Sequence, residues 1–103
     1  MHITSYVERL IADELDGDSS RFDELWERVP NFGQRLREFD NDSAWLHWSP
    51  KTYDGWYCLK EGSTWVVFAQ ERGSKSEQRA FASEREAVRY AINVASFPIK
   101  HAI

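Results

Sequence analysis

Only one histidine, His47, lies away from the ends of the chain; His2 and His101 stand beside the termini, where frayed backbone is expected. An imidazole at position 47 could act as a general base or ligate a metal. No second ligand stands at zinc or metalloprotease spacing, however, and a histidine between Trp45 and Trp48 in an alternating run reads as structural. Cys58 is the single cysteine. With no CxxC partner and a place in mid-strand, it reads as a packed thiol rather than a nucleophile. Asp13, Glu14, Asp16 and Asp18 could gather a divalent cation, but their spacing departs from the EF-hand loop and fits a polar helix end. The five glycines are isolated, so neither a P-loop nor a dinucleotide fingerprint is present. No catalytic residue, cofactor or metal is therefore assigned.

What remains is charge and aromatic surface. The formal net charge is −4 over 103 residues. Through Asp42 there are 11 Asp and Glu against 5 Lys and Arg, and from Ser43 onward 6 against 8. The densest acidic stretch is Asp13, Glu14, Asp16, Asp18, Asp23, Glu24 and Glu27, with Arg21 within it. Such a field repels nucleic acid and anionic membranes and steers basic proteins inward; alternatively it is a solvated face that confers solubility. Five tryptophans suit either a core or an interface. A lone cysteine argues against a disulfide scaffold, and neither a secretory signal nor a membrane-length apolar run is seen. Those features lead to the expectation of a cytoplasmic protein.

The elements that must carry these residues follow from periodicity. Ile3, Tyr6, Val7, Leu10 and Ile11 form one helical stripe, with Ser5 and Glu8 spaced as a capping box and Gly17 as the stop. Phe22, Leu25, Trp26 and Val29 repeat the spacing behind Ser20 as N-cap until Pro30, and Asn31 with Gln34 offers a further cap before Phe32, Leu36 and Phe39. From Asp40 the period becomes alternating. Strands are predicted over Ser43 to Trp48, Trp56 to Lys60, Thr64 to Glu71 and Glu77 to Phe81, with Arg72 to Ser76 as a turn. Ser83 and Glu86 cap a last helix along Ala87, Val88, Ala91, Ile92 and Ala95, ended by Pro98. The expectation is one α+β domain over residues 1–103, with N-terminal helices, an antiparallel sheet of three to four strands, and a C-terminal helix packed on one sheet face. The other face is left to solvent or a partner.

A helix, three antiparallel strands and a closing helix is also the order of a double-stranded RNA-binding domain. Such a domain grips phosphate with lysines at the start of its last helix. Here that position reads Ser83-Glu84-Arg85-Glu86, which forfeits the counterion-release term.

The C-terminal half, through Trp56-Tyr-Cys-Leu-Lys-Glu-Gly, Trp65-Val-Val-Phe-Ala-Gln-Glu-Arg-Gly and Phe81-Ala-Ser-Glu-Arg-Glu-Ala-Val-Arg-Tyr90, resembles small bacterial immunity proteins of contact-dependent growth inhibition and other polymorphic toxin systems. The resemblance implies a non-enzymatic cytoplasmic inhibitor that covers the active site or substrate surface of one cognate toxin domain, commonly a nuclease. Nuclease domains grip phosphate chains and tend to be basic, so an acidic inhibitor can associate quickly and occupy the cleft as a charge mimic. The expected contact residues are Asp13, Glu14, Asp16, Asp18, Asp23, Glu24 and Glu27, with Trp48 and Tyr53 as aromatic anchors. The other reading is a small non-catalytic adaptor or subunit that self-associates through its exposed sheet face.

Overall fold

The computed structural model describes residues 3–40 and 46–95. His2, Trp45, Pro98 and His101, and the first part of the expected strand at Ser43, lie outside the described residues.

Helix α1 runs Ile3–Leu15 and buries Ile3, Val7, Ile11 and Leu15, a strict every-fourth-residue stripe. Tyr6 and Leu10 flank it half-buried, and the Tyr6 ring meets Phe39 at 5.1 Å. Because the helix already includes Ile3, Ser5 lies inside its first turn and does not cap it. The helix ends one residue earlier than Gly17 suggests. Asp16 takes the left-handed conformation (φ 53°), and the Gly17 N–H donates back to the Ile11 carbonyl at 3.0 Å.

A 3-10 helix, Ser19–Glu24, leads into α2, Leu25–Arg28. Its cap is Asp18, whose carboxylate accepts from the Ser20 N–H at 3.1 Å, so Ser20 is the capped residue and not the cap. Asn31 adopts φ 56° with no side-chain capping bond, and α3 spans Phe32–Arg37. Phe32 is wedged edge-on between Phe22 (5.7 Å) and Trp26 (5.0 Å), the geometry that ring quadrupoles favour.

Strands β2 (Gly55–Glu61), β3 (Thr64–Glu71) and β4 (Ser74–Phe81) form the expected antiparallel meander. The fourth strand, β1, is only Leu46–His47 and joins β2 in parallel, which makes the sheet mixed with order β1-β2-β3-β4. A parallel partner normally needs a long crossover. Here two residues pair, so the short loop of residues 48–54 suffices to bring the chain back. Strand β4 starts at Ser74, earlier than its sequence suggests, because Arg72 (φ 50°) and Gly73 (φ 82°) alone make the turn. A bulge opposite Phe68, where Glu77 has φ 52°, bends this edge strand.

Helix α4, Glu84–Ala95, packs on β2 and β3. Ala87, Ala91 and Ala95 recur every fourth residue and let the helix approach the sheet, while Val88 and Ile92 fill the space beside them. The Glu86 N–H donates to the Ser83 hydroxyl at 3.3 Å, as the capping pattern requires. All helices contribute to one core, which includes Leu46, Cys58 and Val67 from the sheet. Truncating a fully buried Ile92 to Ala there would cost about 2–5 kcal/mol. The opposite sheet face holds a second, smaller cluster of Tyr57, Leu59 and Phe68, with Tyr57 stacked on Phe68 at 5.1 Å. That face was expected to be solvated or partner-bound, but Tyr57, Leu59, Val66 and Phe68 are all buried.

Candidate partner-binding surface

The two side chains with reactive potential are both closed off. His47 is 4% exposed, tilted against Tyr57 at 4.7 Å, with Nε2 3.2 Å from the Asp54 carbonyl. A carbonyl only accepts, so Nε2 carries the proton, and Nδ1 is buried without a partner and out of reach of a substrate. Burial pushes the Cys58 thiol up to about 12, which leaves it protonated and inert. Among the described residues no group of His, Cys, Asp or Glu is arranged to hold a metal ion, and no helix is long and apolar enough to cross a membrane.

The seven acidic residues singled out from the sequence divide into two sets. Asp23 is paired with Arg89 at 2.7 Å, and Glu27 with Arg85 at 2.7 Å. Glu24 is held by Arg21 at 2.8 Å and Arg28 at 3.3 Å; the Arg21 hydrogen bond is the chief reason its pKa falls to about 2. These three are neutralised by arginines, two of them on α4 and more than 50 residues away in sequence, as with the 66-residue separation of Asp23 and Arg89. Counting charges along the chain finds Arg21 and Arg28 but not the α4 arginines, and so overstates the acidity of this stretch.

The other set, Asp13, Glu14, Asp16 and Asp18, is exposed at the C-terminal end of α1, with no ion pair among the described residues. Asp18 accepts from the Ser20 hydroxyl at 2.6 Å as part of its cap. The last turn of α1 carries no basic residue. Acidic side chains at the negative end of a helix dipole are each unfavourable by about 0.3–1 kcal/mol. Asp13, Glu14 and Asp16 are therefore kept here against local stability, whereas Asp18 contributes as a cap.

The two aromatic anchors also part company. Trp48 is 8% exposed and packs into the main core, whereas Tyr53 is 65% exposed, the one large hydrophobic so exposed among the described residues. Tyr53 is presented by a fixed loop. Its carbonyl accepts from Tyr57 Oη at 2.6 Å and Gln70 Nε2 at 3.1 Å, and its ring lies 6.1 Å from His47. The root of the loop is Asp40, which accepts from the Ser49 hydroxyl at 2.7 Å and the Trp48 N–H, and pairs with Lys51. Nothing in the sequence sets Asp40 apart from the acids around it.

Two open hollows lie among the described residues. One of about 430 Å³ is bordered by Trp48, Lys60, Trp65 and the Arg37–Glu84 ion pair, so its Arg37 and Glu84 charges are already matched. The other, of about 460 Å³, lies at the far end of the sheet around Trp56, with Asp54, Glu71 and Glu77 on its rim. Those three acids escaped sequence reading because only strand register brings them together. No protein-family model matches the chain, and no curated protein or solved structure proved similar to it.

Proposed function

We propose that this chain is an immunity protein that binds and neutralises a cognate toxin domain, a basic nuclease, in the bacterial cytoplasm. The observation that carries the reading is the acidic end of α1, which makes no ion pair among the described residues. Asp13, Glu14 and Asp16 stand at the unfavourable end of the helix dipole, with Arg21 acting on Asp16 only at longer range, while neighbouring Asp23, Glu24 and Glu27 are each paired with an arginine. A charge cluster retained at a cost to stability is what a binding function would preserve. The preset Tyr53 supplies an aromatic contact that needs little ordering on association.

The test is growth rescue. The C-terminal domain encoded immediately upstream is expressed in a susceptible cell with and without this protein, followed by co-purification. Rescue by the native chain, lost or weakened in Asp13→Lys/Glu14→Lys/Asp16→Asn, supports the reading; toxicity indifferent to this protein refutes it. Asparagine tolerates the left-handed backbone of position 16 and the two lysines suit the end of the helix dipole, so the same triple variant should be at least as stable as the native chain, and loss of rescue cannot be ascribed to unfolding.

A second reading, a self-associating subunit, draws on β4, an edge strand exposed along nearly its whole length. The bulge at Glu77 and the charges of Lys75, Glu77 and Arg79 oppose strand pairing at that edge. A sedimentation measurement giving an obligate oligomer would favour this reading over the first.

A further inference from the structure

The hollow around Trp56 has a specific construction. Trp56, Ala69 and Ser76 stand in one row across β2, β3 and β4, as the register pairs Trp56 with Ala69 and Ala69 with Ser76. One large ring followed by two small side chains leaves a trough with an indole wall, on the face of the sheet that α4 partly covers. Asp54, Glu71 and Glu77 rim it, and none of them makes an ion pair among the described residues. Of the nearby cations, Arg72 is exposed on the turn beside Glu71, and the other two are engaged with rings. Lys75 lies over the Phe68 ring at 4.6 Å, on the opposite face, and Arg79 over Tyr90 at 5.2 Å. Asp54 is fixed at the rim by the Arg72 N–H, which donates to Oδ1 at 2.9 Å.

A hollow of this size with one aromatic wall and a carboxylate rim is complementary to a planar cation. Guanidinium fits better than ammonium, because it can lie flat on the indole while its N–H fork meets carboxylates side by side. We propose that this trough receives an arginine side chain of the basic partner. The inference rests on the reading above for the partner's charge, but the trough's chemistry can be tested without that partner.

The probe is N-acetyl-L-arginine amide titrated into the full-length, ¹⁵N-labelled chain, with N-acetyl-L-citrulline amide as its uncharged isostere. The expected result is a saturable shift of the Trp56 indole N–H and of the amides at 54–56, 69–71 and 76–77, absent with citrulline. Glu71→Gln/Glu77→Gln, at two exposed positions, should weaken it about tenfold. Shifts spread equally over Asp13, Glu14 and Asp16, an equal response to citrulline, no saturable response, or undiminished binding by the double variant would each overturn the proposal. If growth rescue succeeds and the double variant holds the toxin as tightly as the native chain, the trough assignment falls and the partner reading stands. If rescue fails while arginine still binds at Trp56, the reverse holds.

Discussion

Lys51 Nζ lies 2.8 Å from Asp40 Oδ2 and 3.0 Å from the Asp40 carbonyl, so one ammonium ties the end of the helical region to the loop that presents Tyr53. Both side chains are less than a fifth exposed. The same carboxylate accepts from the Trp48 and Ser49 N–H groups, which sets the direction in which the chain enters the loop.

Replacing Asp40 with Asn should therefore cost about 2 kcal/mol, the scale of lost hydrogen bonds to a charged group. The measurement is urea unfolding, with a lower midpoint and an unchanged slope. The pH dependence has a definite sign. Burial pushes the Asp40 carboxyl upward, but hydrogen bonds from Lys51, Ser49 and the Trp48 N–H outweigh it and hold the pKa below 3.8. This stabilisation is complete above the unfolded-state pKa and is lost as pH falls through the lower folded value. Acid should erode the native chain's advantage over Asp40→Asn in that window. Glu24 titrates at about 2, but its side chain is 44% exposed, and solvent screening leaves it a small share of the slope.

Cys58 offers a clock for opening of the core. With its thiol pushed up to about 12 by burial, the native protein should resist iodoacetamide at mildly alkaline pH and react only through unfolding. The labelling rate should rise with urea in proportion to the unfolded fraction, and Asp40→Asn should label faster than the native chain. Rapid labelling of the folded protein would show that β2 opens locally.

The helical stripes, the β2–β4 meander and the Ser83 cap were legible because each is written in residues three or four, or two, positions apart. Features made by distant residues were not. The arginines that neutralise Asp23 and Glu27 come from α4, the Asp54, Glu71 and Glu77 rim comes from a loop end and two strands, and the parallel placement of β1 depends on where the loop of residues 48–54 returns. Trp48 and Tyr53 look alike in sequence as aromatics near one loop. Their opposite burial depends on tertiary contacts: the Trp48 N–H is held by Asp40 and its ring packs in the core, whereas Tyr53 stands out from the loop.

The β3–β4 turn is under-optimised. Arg72 and Gly73 both have positive φ, as a type I′ turn demands, yet arginine pays a steric penalty there that asparagine largely avoids. Arg72→Asn should stabilise the protein by about 0.5–1 kcal/mol, since the backbone N–H that bonds Asp54 is retained. Thermal unfolding should show a midpoint higher by a few degrees. A decrease would mean that the arginine side chain makes a contact worth more than the backbone strain.

Gly33 and Glu84 test how tightly α3 meets the start of α4. A Cβ placed on Gly33 would lie 3.0 Å from both Glu84 carboxylate oxygens, too close unless the carboxylate moves. Glu84 is held there by Arg37, from the same short helix as Gly33, so it cannot swing away without giving up its ion pair. Two effects then compete in Gly33→Ala. Alanine improves helix propensity by about 0.8–1 kcal/mol, whereas displacement of Glu84 removes a half-exposed pair worth up to about 1 kcal/mol. In the native background the two should nearly cancel. In Glu84→Gln, where no ion pair is left to lose and the shorter-range attraction to Arg37 is gone, the same substitution should stabilise the chain by most of the propensity term. A double-mutant cycle by urea unfolding reads the coupling directly: about 1 kcal/mol is expected. A value near zero would show that Glu84 yields to the new methyl group at no cost and that the α3–α4 contact is looser than its geometry indicates.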